Sequence, residues 1–275
     1  MSQSTTDPED ILSSALEGLY DYQPITLSSA GSTFIYETPQ PGLSRITLRT
    51  PDTHANNWSL HATSIWAASR FLADNLHYLD IPTHLNRNPH TKLLELGAGA
   101  GLPSIAIAKQ YPALSVVVSD YPDEALIRTL AENVAHNTVP NCRAVAYDWG
   151  SDPSELLLPD GEKMDLIIAA DTLWNSEFHV KHIEAIQLTL KKSPLSRVHL
   201  IAGLHTGRFT IQSFLKAVSM AGFELLTAIE RESHGTQQRS WSVDRAEGED
   251  ESERRRWIIY LCLRWKEPVV NITSP

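Results

Sequence analysis

Four carboxylates in this chain each follow an apolar run: Glu95, Asp120, Asp148 and Asp171. Acidic groups at the carboxyl edge of a parallel sheet face the crevice in which such sheets bind ligands. Glu95 stands two positions before a turn of alternating glycines, Gly97-Ala98-Gly99-Ala100-Gly101. Glycine is needed where a chain reverses at positive φ and where backbone must touch a ligand. The turn runs straight into Leu102-Pro103-Ser104, with proline suited to a first helical turn, so the ligand would meet a helix N-terminus. A dinucleotide fingerprint is spaced G-x-G-x-x-G, with an acid about 20 residues on. Here the spacing is G-x-G-x-G, and Asp120 lies 19 positions past Gly101, where its carboxylate can take both ribose hydroxyls of an adenosine. An ordinary glycine turn and a dinucleotide site remain alternatives at this point.

Asp148-Trp149-Gly150 offers an acceptor for an adenine amino group and an indole to cover the adenine plane, or simply a turn with a packing tryptophan. Ala170-Asp171-Thr172-Leu173-Trp174 combines an acid with an aromatic three positions on, a pair suited to a channel for an amine. Aromatic faces hold a cation, and apolar surroundings favour loss of its proton. His205, in Leu204-His205-Thr206-Gly207-Arg208, follows the next strand and is a candidate for the substrate pocket. His179 and His182 are three apart on an expected helix, but no carboxylate frame accompanies them; they read as solvated helix residues, and no metal site is expected. No G-x-S-x-G turn supports a serine hydrolase.

The elements needed to position these groups are legible as alternating strands and helices. Strands are expected at 92–96, 115–119, 143–147, 165–170, 197–203 and 223–230, with helices at 102–110, 122–136, 177–190 and 209–221. That alternation predicts an α/β doubly wound sheet. Apolar residues 65, 68, 72 and 76 repeat at helical spacing in the stretch from Trp58 to Leu76, a helix expected over the glycine turn; on spacing alone Trp66 reads first as a core aromatic. Before it, Thr33–Glu37 and Ser44–Arg49 suggest an antiparallel pair, residues 1–9 read as disordered, and Asp10 is suited to cap a short helix at Ile11–Leu16. Residues 232–255 are polar and charge-dense and read as a flexible loop; the long apolar run Trp257–Trp265 reads as a buried terminal strand returning as an antiparallel hairpin. The expected division is an N-terminal accessory segment, 1–57, and a catalytic domain, 58–275.

The 275 residues, 42% hydrophobic and 20% charged, fit a globular chain with a sizeable core. A formal net charge of −10 argues against direct nucleic-acid binding and allows a basic protein partner. Two cysteines are too few for a disulfide framework, and the opening Met-Ser-Gln-Ser-Thr-Thr-Asp-Pro has neither the basic nor the apolar region of a signal peptide. The expected compartment is the cytoplasm, or the nucleus. No run approaches the 18 apolar residues of a membrane span.

Taken together and in order, Ile65-Trp66-Ala67-Ala68, Glu95-Leu96-Gly97-Ala98-Gly99-Ala100-Gly101-Leu102, Ser119-Asp120-Tyr121-Pro122, Asp148-Trp149-Gly150 and Ala170-Asp171-Thr172-Leu173-Trp174 resemble methyltransferase family 16, the seven-stranded protein-lysine methyltransferases. Asp7-Pro8-Glu9-Asp10-Ile11-Leu12, Leu60-His61 and Asp120-Tyr121-Pro122 resemble a fungal branch of that family long labelled as nicotinamide N-methyltransferases. The resemblance implies a class I methyltransferase sheet of about seven strands and S-adenosyl-L-methionine as cofactor. It also implies cofactor contacts from Trp66, Gly97, Ala98, Gly99, Asp120, Trp149 and Ala170, and catalytic roles for Asp171 and Trp174. It points to methylation of a lysine or N-terminal amine, with translation elongation factor 1-alpha as the type substrate; a monomer is the expected state. A small-molecule N-methyltransferase and a cofactor-binding regulator without turnover are the alternatives. Trp174 stands where much of the wider family has Tyr or Phe, and Thr206-Gly207 follows His205 where the branch often has a second His or a bulkier residue.

Overall fold

The computed structural model describes residues 25–39, 45–157 and 161–267. The disordered opening and the short helix expected at Ile11–Leu16 lie outside these residues. The strands are β1 Thr33–Tyr36, β2 Ile46–Arg49, β3 Lys92–Leu96, β4 Ser115–Asp120, β5 Cys142–Ala146, β6 Leu166–Ala170, β7 Arg197–Gly203, β8 Phe223–Glu232, β9 Gln238–Ser240 and β10 Trp257–Trp265. The helices are α1 Ala67–Asp74, α2 Ile81–Arg87, α3 Leu102–Gln110, α4 Glu124–His136, α5 His179–Thr189, α6 Arg208–Met220 and α7 Glu251–Arg255.

Eight strands form one sheet in the order β5-β4-β3-β6-β7-β10-β8-β9. From β5 to β7 the neighbours run parallel; β10 is antiparallel to both β7 and β8, and β9 to β8. This is the mostly parallel α/β sheet with an antiparallel terminal hairpin that the sequence predicts. Strands covered on both faces must be apolar on both, which is why β3 and β6 read as continuous buried runs. The two-residue period then sorts them. Leu93, Val116, Val118, Leu166 and Ile168 pack with α1, α3 and α4, whereas Leu94, Val117, Ile167, Ala169 and Leu200 pack with α5 and α6.

The chain runs β3, β4, β5 outward on one side and then crosses to β6 on the other side of β3. The crevice at such a reversal, outside the carboxyl ends of the strands, is where open α/β sheets bind ligands. Gly101 starts α3 at φ +85°, and a Cβ there would lie 2.7 Å from Leu130 of α4. The buried Glu95 carboxylate accepts from the Ser104 amide at 3.1 Å, tying the end of β3 to the first turn of α3.

β1 and β2 form the expected antiparallel pair. The outer edge of β2 is closed by two side chains of α4: Asn133 pairs with the backbone N–H and carbonyl of Arg49, and Asn137 does the same for Thr47. Asn133 also donates to the Ala100 carbonyl at 3.0 Å, so one amide ties the hairpin to the glycine turn.

Two stretches differ from expectation. The helix expected from Trp58 is a 3-10 turn, Ala55–Leu60, and α1 begins only at Ala67, because the backbone of residues 65–67 pairs with an extended segment at 25–27. The charged stretch 232–255, expected as a loop, carries β9, a 3-10 turn at Val243–Glu247, and α7. Its charges pair with buried partners outside it and with one another. Arg208, fully buried at the start of α6, makes two hydrogen bonds to Glu230 of β8, at 2.5 and 2.8 Å, and two to Glu249, both at 2.6 Å. Arg239 and Arg245 also bind Glu230, at 2.7 and 2.8 Å. Burial alone would raise the Glu230 carboxyl, but Arg208 and Arg239 hold it below its ordinary range.

Candidate active site

The carboxyl ends of β3 to β6 and the turn before α1 enclose a cavity of about 360 Å3. That lies within the roughly 300–1,000 Å3 of small-molecule sites. Ten of the residues singled out from the sequence line it: Trp66, Gly97, Ala98, Gly99, Asp120, Asp148, Trp149, Ala170, Asp171 and Trp174; Glu95 does not, being buried within β3. His205 does not line it but lies directly behind, stacked on Trp66 at 5.6 Å between ring centroids.

One half of the cavity is built from the glycine turn. Gly97 and Gly99 sit at φ +69° and +56°, and a Cβ on Gly97 would lie 2.8 Å from Thr172 Cγ2 and 3.3 Å from Trp149 Cζ2. Only glycine lets the indole lie against the turn. Asp120 closes β4 with Oδ2 accepting from Gly99 N–H at 2.6 Å and Oδ1 from Tyr121 N–H at 2.7 Å. Burial raises its carboxyl to about 6 against those two hydrogen bonds, and raises Glu95 further, to about 8. Asp123 fixes the lid of this half: it caps α4 through Leu126 N–H and accepts from Asn57 Nδ2 at 2.7 Å, which anchors the Ala55–Leu60 turn.

The other half is aromatic. His61 takes a left-handed conformation, φ +53°, and its carbonyl accepts from Trp66 Nε1 at 2.8 Å. The His61 ring meets Trp174 edge-on at 4.9 Å, and Trp174 meets Phe178 at 6.0 Å. Trp66 therefore belongs to the wall of the cavity and not to the core that spacing alone suggested. Asp171 also lies at positive φ, +60°, a conformation Asp tolerates better than most residues. Its N–H donates to the Ile201 carbonyl at 2.7 Å and its Oδ1 accepts from Gly203 N–H at 2.9 Å. Burial raises its carboxyl, and the nearby His205 opposes that rise.

His179 and His182 are not solvated. Both are buried, at 3% and 0% exposure, because α5 packs on the sheet beside α6, whose Phe214 meets both rings. His182 backs Trp149 at 4.4 Å, and burial lowers its pKa to about 3, so the ring is neutral and apolar in use. Sequence reasoning also passed over Tyr147, Thr172, Phe178 and Lys181, which line the cavity. Phe178 had one available signal, its spacing of four from Trp174.

A strand-end acid beside a glycine turn that only glycine fits, with an indole against that turn, suits an adenosine-bearing cofactor; the acid and aromatic half suits an amine. The comparisons agree. Residues 50–220 match the model of a family described as lysine methyltransferase. The protein N-terminal and lysine N-methyltransferase efm7 of Schizosaccharomyces pombe is 32% identical over 184 residues, covering 61% of this chain and 68% of that protein. The protein of the same description in Candida albicans is 29% identical over 212 residues, covering 70% and 74%. That of Cryptococcus neoformans is 37% identical over 142 residues, where the match spans 50% of this chain and less than half, 44%, of the relative. With more than half of its length matched by the family model and its site residues gathered at one sheet edge, this chain belongs to the lysine methyltransferase family.

Proposed function

We propose that this chain transfers a methyl group from S-adenosylmethionine to a lysine or N-terminal amine of a basic protein. The observation that carries the reading is the junction of the two halves. Asp171 and Trp174 stand beside Ala170, next to the glycine turn, so an amine held by the aromatic half would abut a cofactor held by the other. The residues fit that cofactor. Asp120 keeps a carboxylate for the ribose hydroxyls, Trp149 offers a face for the adenine, and the bare backbone of Gly97 and Gly99 admits close approach. When bound, the cofactor supplies an electrophilic methyl on a sulfonium.

What the chain itself contributes is alignment and a neutral amine. An ammonium has no lone pair, and a lysine in water titrates near 10.4. The rings of Trp66, Trp174 and Phe178 remove water from the amine, which favours the uncharged form, while Asp171 orients it toward the methyl. Trp in place of Tyr or Phe at 174 keeps the ring face and loses the phenol. The names of the relatives favour a protein amine over a small molecule. Translation elongation factor 1-alpha is the target implied by the fungal-branch resemblance.

The test is transfer of labelled methyl to fractionated cell protein, run beside a small-metabolite fraction. A labelled band at elongation factor 1-alpha, mapped to its N-terminus or a lysine, is the expected result. Label confined to metabolites would move the activity to a small substrate, and cofactor binding without any label would favour a regulator.

A further inference from the structure

The reading above leaves the departing proton without a destination. Asp171 is the acid at the amine end, half-buried in the cavity wall that substrate and cofactor would cover; a carboxyl that takes a proton there must discharge it before the next turnover. Behind it lies His205, half-buried and open to solvent on one side. The two side chains share one small space over Gly203. His205 Nδ1 lies 2.5 Å, and Asp171 Oδ1 3.6 Å, from the point a Cβ on Gly203 would occupy. The missing Cβ is what lets the imidazole lie against the strand end next to the carboxylate. Trp66 holds the ring plane from the other side, stacked at 5.6 Å with 15° between planes. Neither ring nitrogen of His205, nor Oδ2 of Asp171, has a hydrogen-bond partner among the described residues, so both groups keep free positions for a proton.

We propose that Asp171 and His205 act as one proton-accepting pair, Asp171 taking the proton from the substrate ammonium and His205 passing it to solvent. The proposal rests on the amine-methylating function above. In the first step an N–H bond of the ammonium breaks and an O–H bond forms on Asp171, leaving a neutral amine. In the second the O–H bond breaks, directly or across a water, and an N–H bond forms on the imidazole, which becomes cationic; that cation then gives its proton to water. Asp171 touches substrate; His205 acts through it and is a positioning and relay residue. The titratable groups around the ring are Asp171, from the end of β6, and His61, across Trp66. Arg208, three residues on, is committed to Glu230 and Glu249.

Two variants probe the pair without removing Asp171. His205→Asn keeps a polar side chain that takes no proton at neutral pH. Gly203→Ala keeps the backbone N–H bound by Asp171 and displaces the imidazole. Each is assayed with a basic peptide carrying a free N-terminal amine and a lysine, from about pH 6 to about pH 10, the range over which amines lose their protons unaided. The expected result is a fall in kcat of about tenfold or more near neutrality, with peptide KM and cofactor affinity unchanged and the deficit closing toward the alkaline end. A deficit equal at all pH values, or none, overturns the proposal. A second readout needs no turnover. The His205 ring signals are recorded by NMR in the unsubstituted protein and in Asp171→Asn; they are expected to move when the carboxylate is lost, and unchanged signals overturn the pairing. If the unsubstituted protein methylates neither peptide nor cell protein, the functional reading has failed, and the ring signals alone decide the pair.

Discussion

On the proposed function, Asp120 makes the cofactor half of the site answerable to pH. Its carboxylate is buried at 8% exposure, and its pKa is raised from 3.8 to about 6. Raising an acid's pKa means the folded protein prefers the protonated form, so this group's contribution to stability is present at low pH and is lost as pH rises through about 6. Ribose hydroxyls donate hydrogen bonds, so a bound cofactor reverses that preference and favours the ionised form. With a pKa of about 6, roughly one molecule in eleven carries the carboxylate at pH 5 and nearly all do at pH 7.5. The affinity for S-adenosylmethionine should therefore weaken about tenfold across that window, equivalent to about 1.4 kcal/mol. Glu95, at about 8, stays mostly protonated throughout and does not mimic the effect. In Asp120→Asn the charge-assisted bonds to the ribose are lost, which costs about 1.5–3 kcal/mol, and the remaining affinity should be flat with pH. Calorimetric titration of both proteins at pH 5 and pH 7.5, with melting curves to show that each is folded, is the assay. An unchanged affinity in Asp120→Asn, or the same pH slope in both proteins, would refute the assignment.

Three further outcomes follow from the same geometry. Asp171→Ala should leave cofactor affinity unchanged and lower turnover by about two orders of magnitude; equal turnover in single-turnover assays would remove Asp171 from the chemistry. Gly97→Ala drives a Cβ to 2.8 Å from Thr172 and 3.3 Å from Trp149 at a φ of +69°. Strain of about 1–2 kcal/mol and a displaced indole should appear as lower thermal stability and weaker cofactor binding, the second measured by calorimetry. Glu230→Gln removes the charge that Arg208, Arg239 and Arg245 share and leaves Arg208 with Glu249 as its remaining carboxylate; losing charge-assisted hydrogen bonds of this kind costs about 1.5–3 kcal/mol, at roughly 2–4 °C of melting temperature per kcal/mol. Because the Glu230 carboxyl is held below its ordinary range, the network's contribution is complete at neutral pH and fades as pH falls through that lowered value; a melting temperature unchanged by the substitution would mean the network adds nothing.

The site was legible because each of its main residues closes an apolar run. A strand end, a glycine and an acid are local signals, and the sheet needs no further information to bring Gly97, Asp120, Trp149 and Asp171 to one edge. The features that were missed depend on partners far away in sequence. Arg208 meets Glu230 and Glu249 over 22 and 41 residues, so a stretch that reads as solvated charge becomes a folded segment when its Glu249 finds the buried Arg208 and its Arg239 and Arg245 find the buried Glu230. His182 looks like a surface histidine until α6 covers α5. Trp66 falls within the stretch read as one helix, but the pairing of residues 25–27 with 65–67 leaves it extended just before α1, where it lines the cavity. The proximity of His205 to Asp171 depends on the lack of a side chain at Gly203, which no pattern in the sequence announces.

The order of the sheet has a consequence for how the protein is made. β10 comes last in the sequence of described strands, yet it lies between β7 and β8, with antiparallel partners on both sides. Until residue 265 has left the ribosome, β7 has an open edge and β8 has no neighbour but the short β9. Exposed apolar edges of this kind are where partly made chains pair with one another. A nascent chain can assemble the cofactor half first, since β3, β4 and β5 are contiguous in synthesis, but the edge beside His205 closes only at the end. Shortened products lacking β10 would carry every carboxylate of the site and still leave the sheet split into five strands and two.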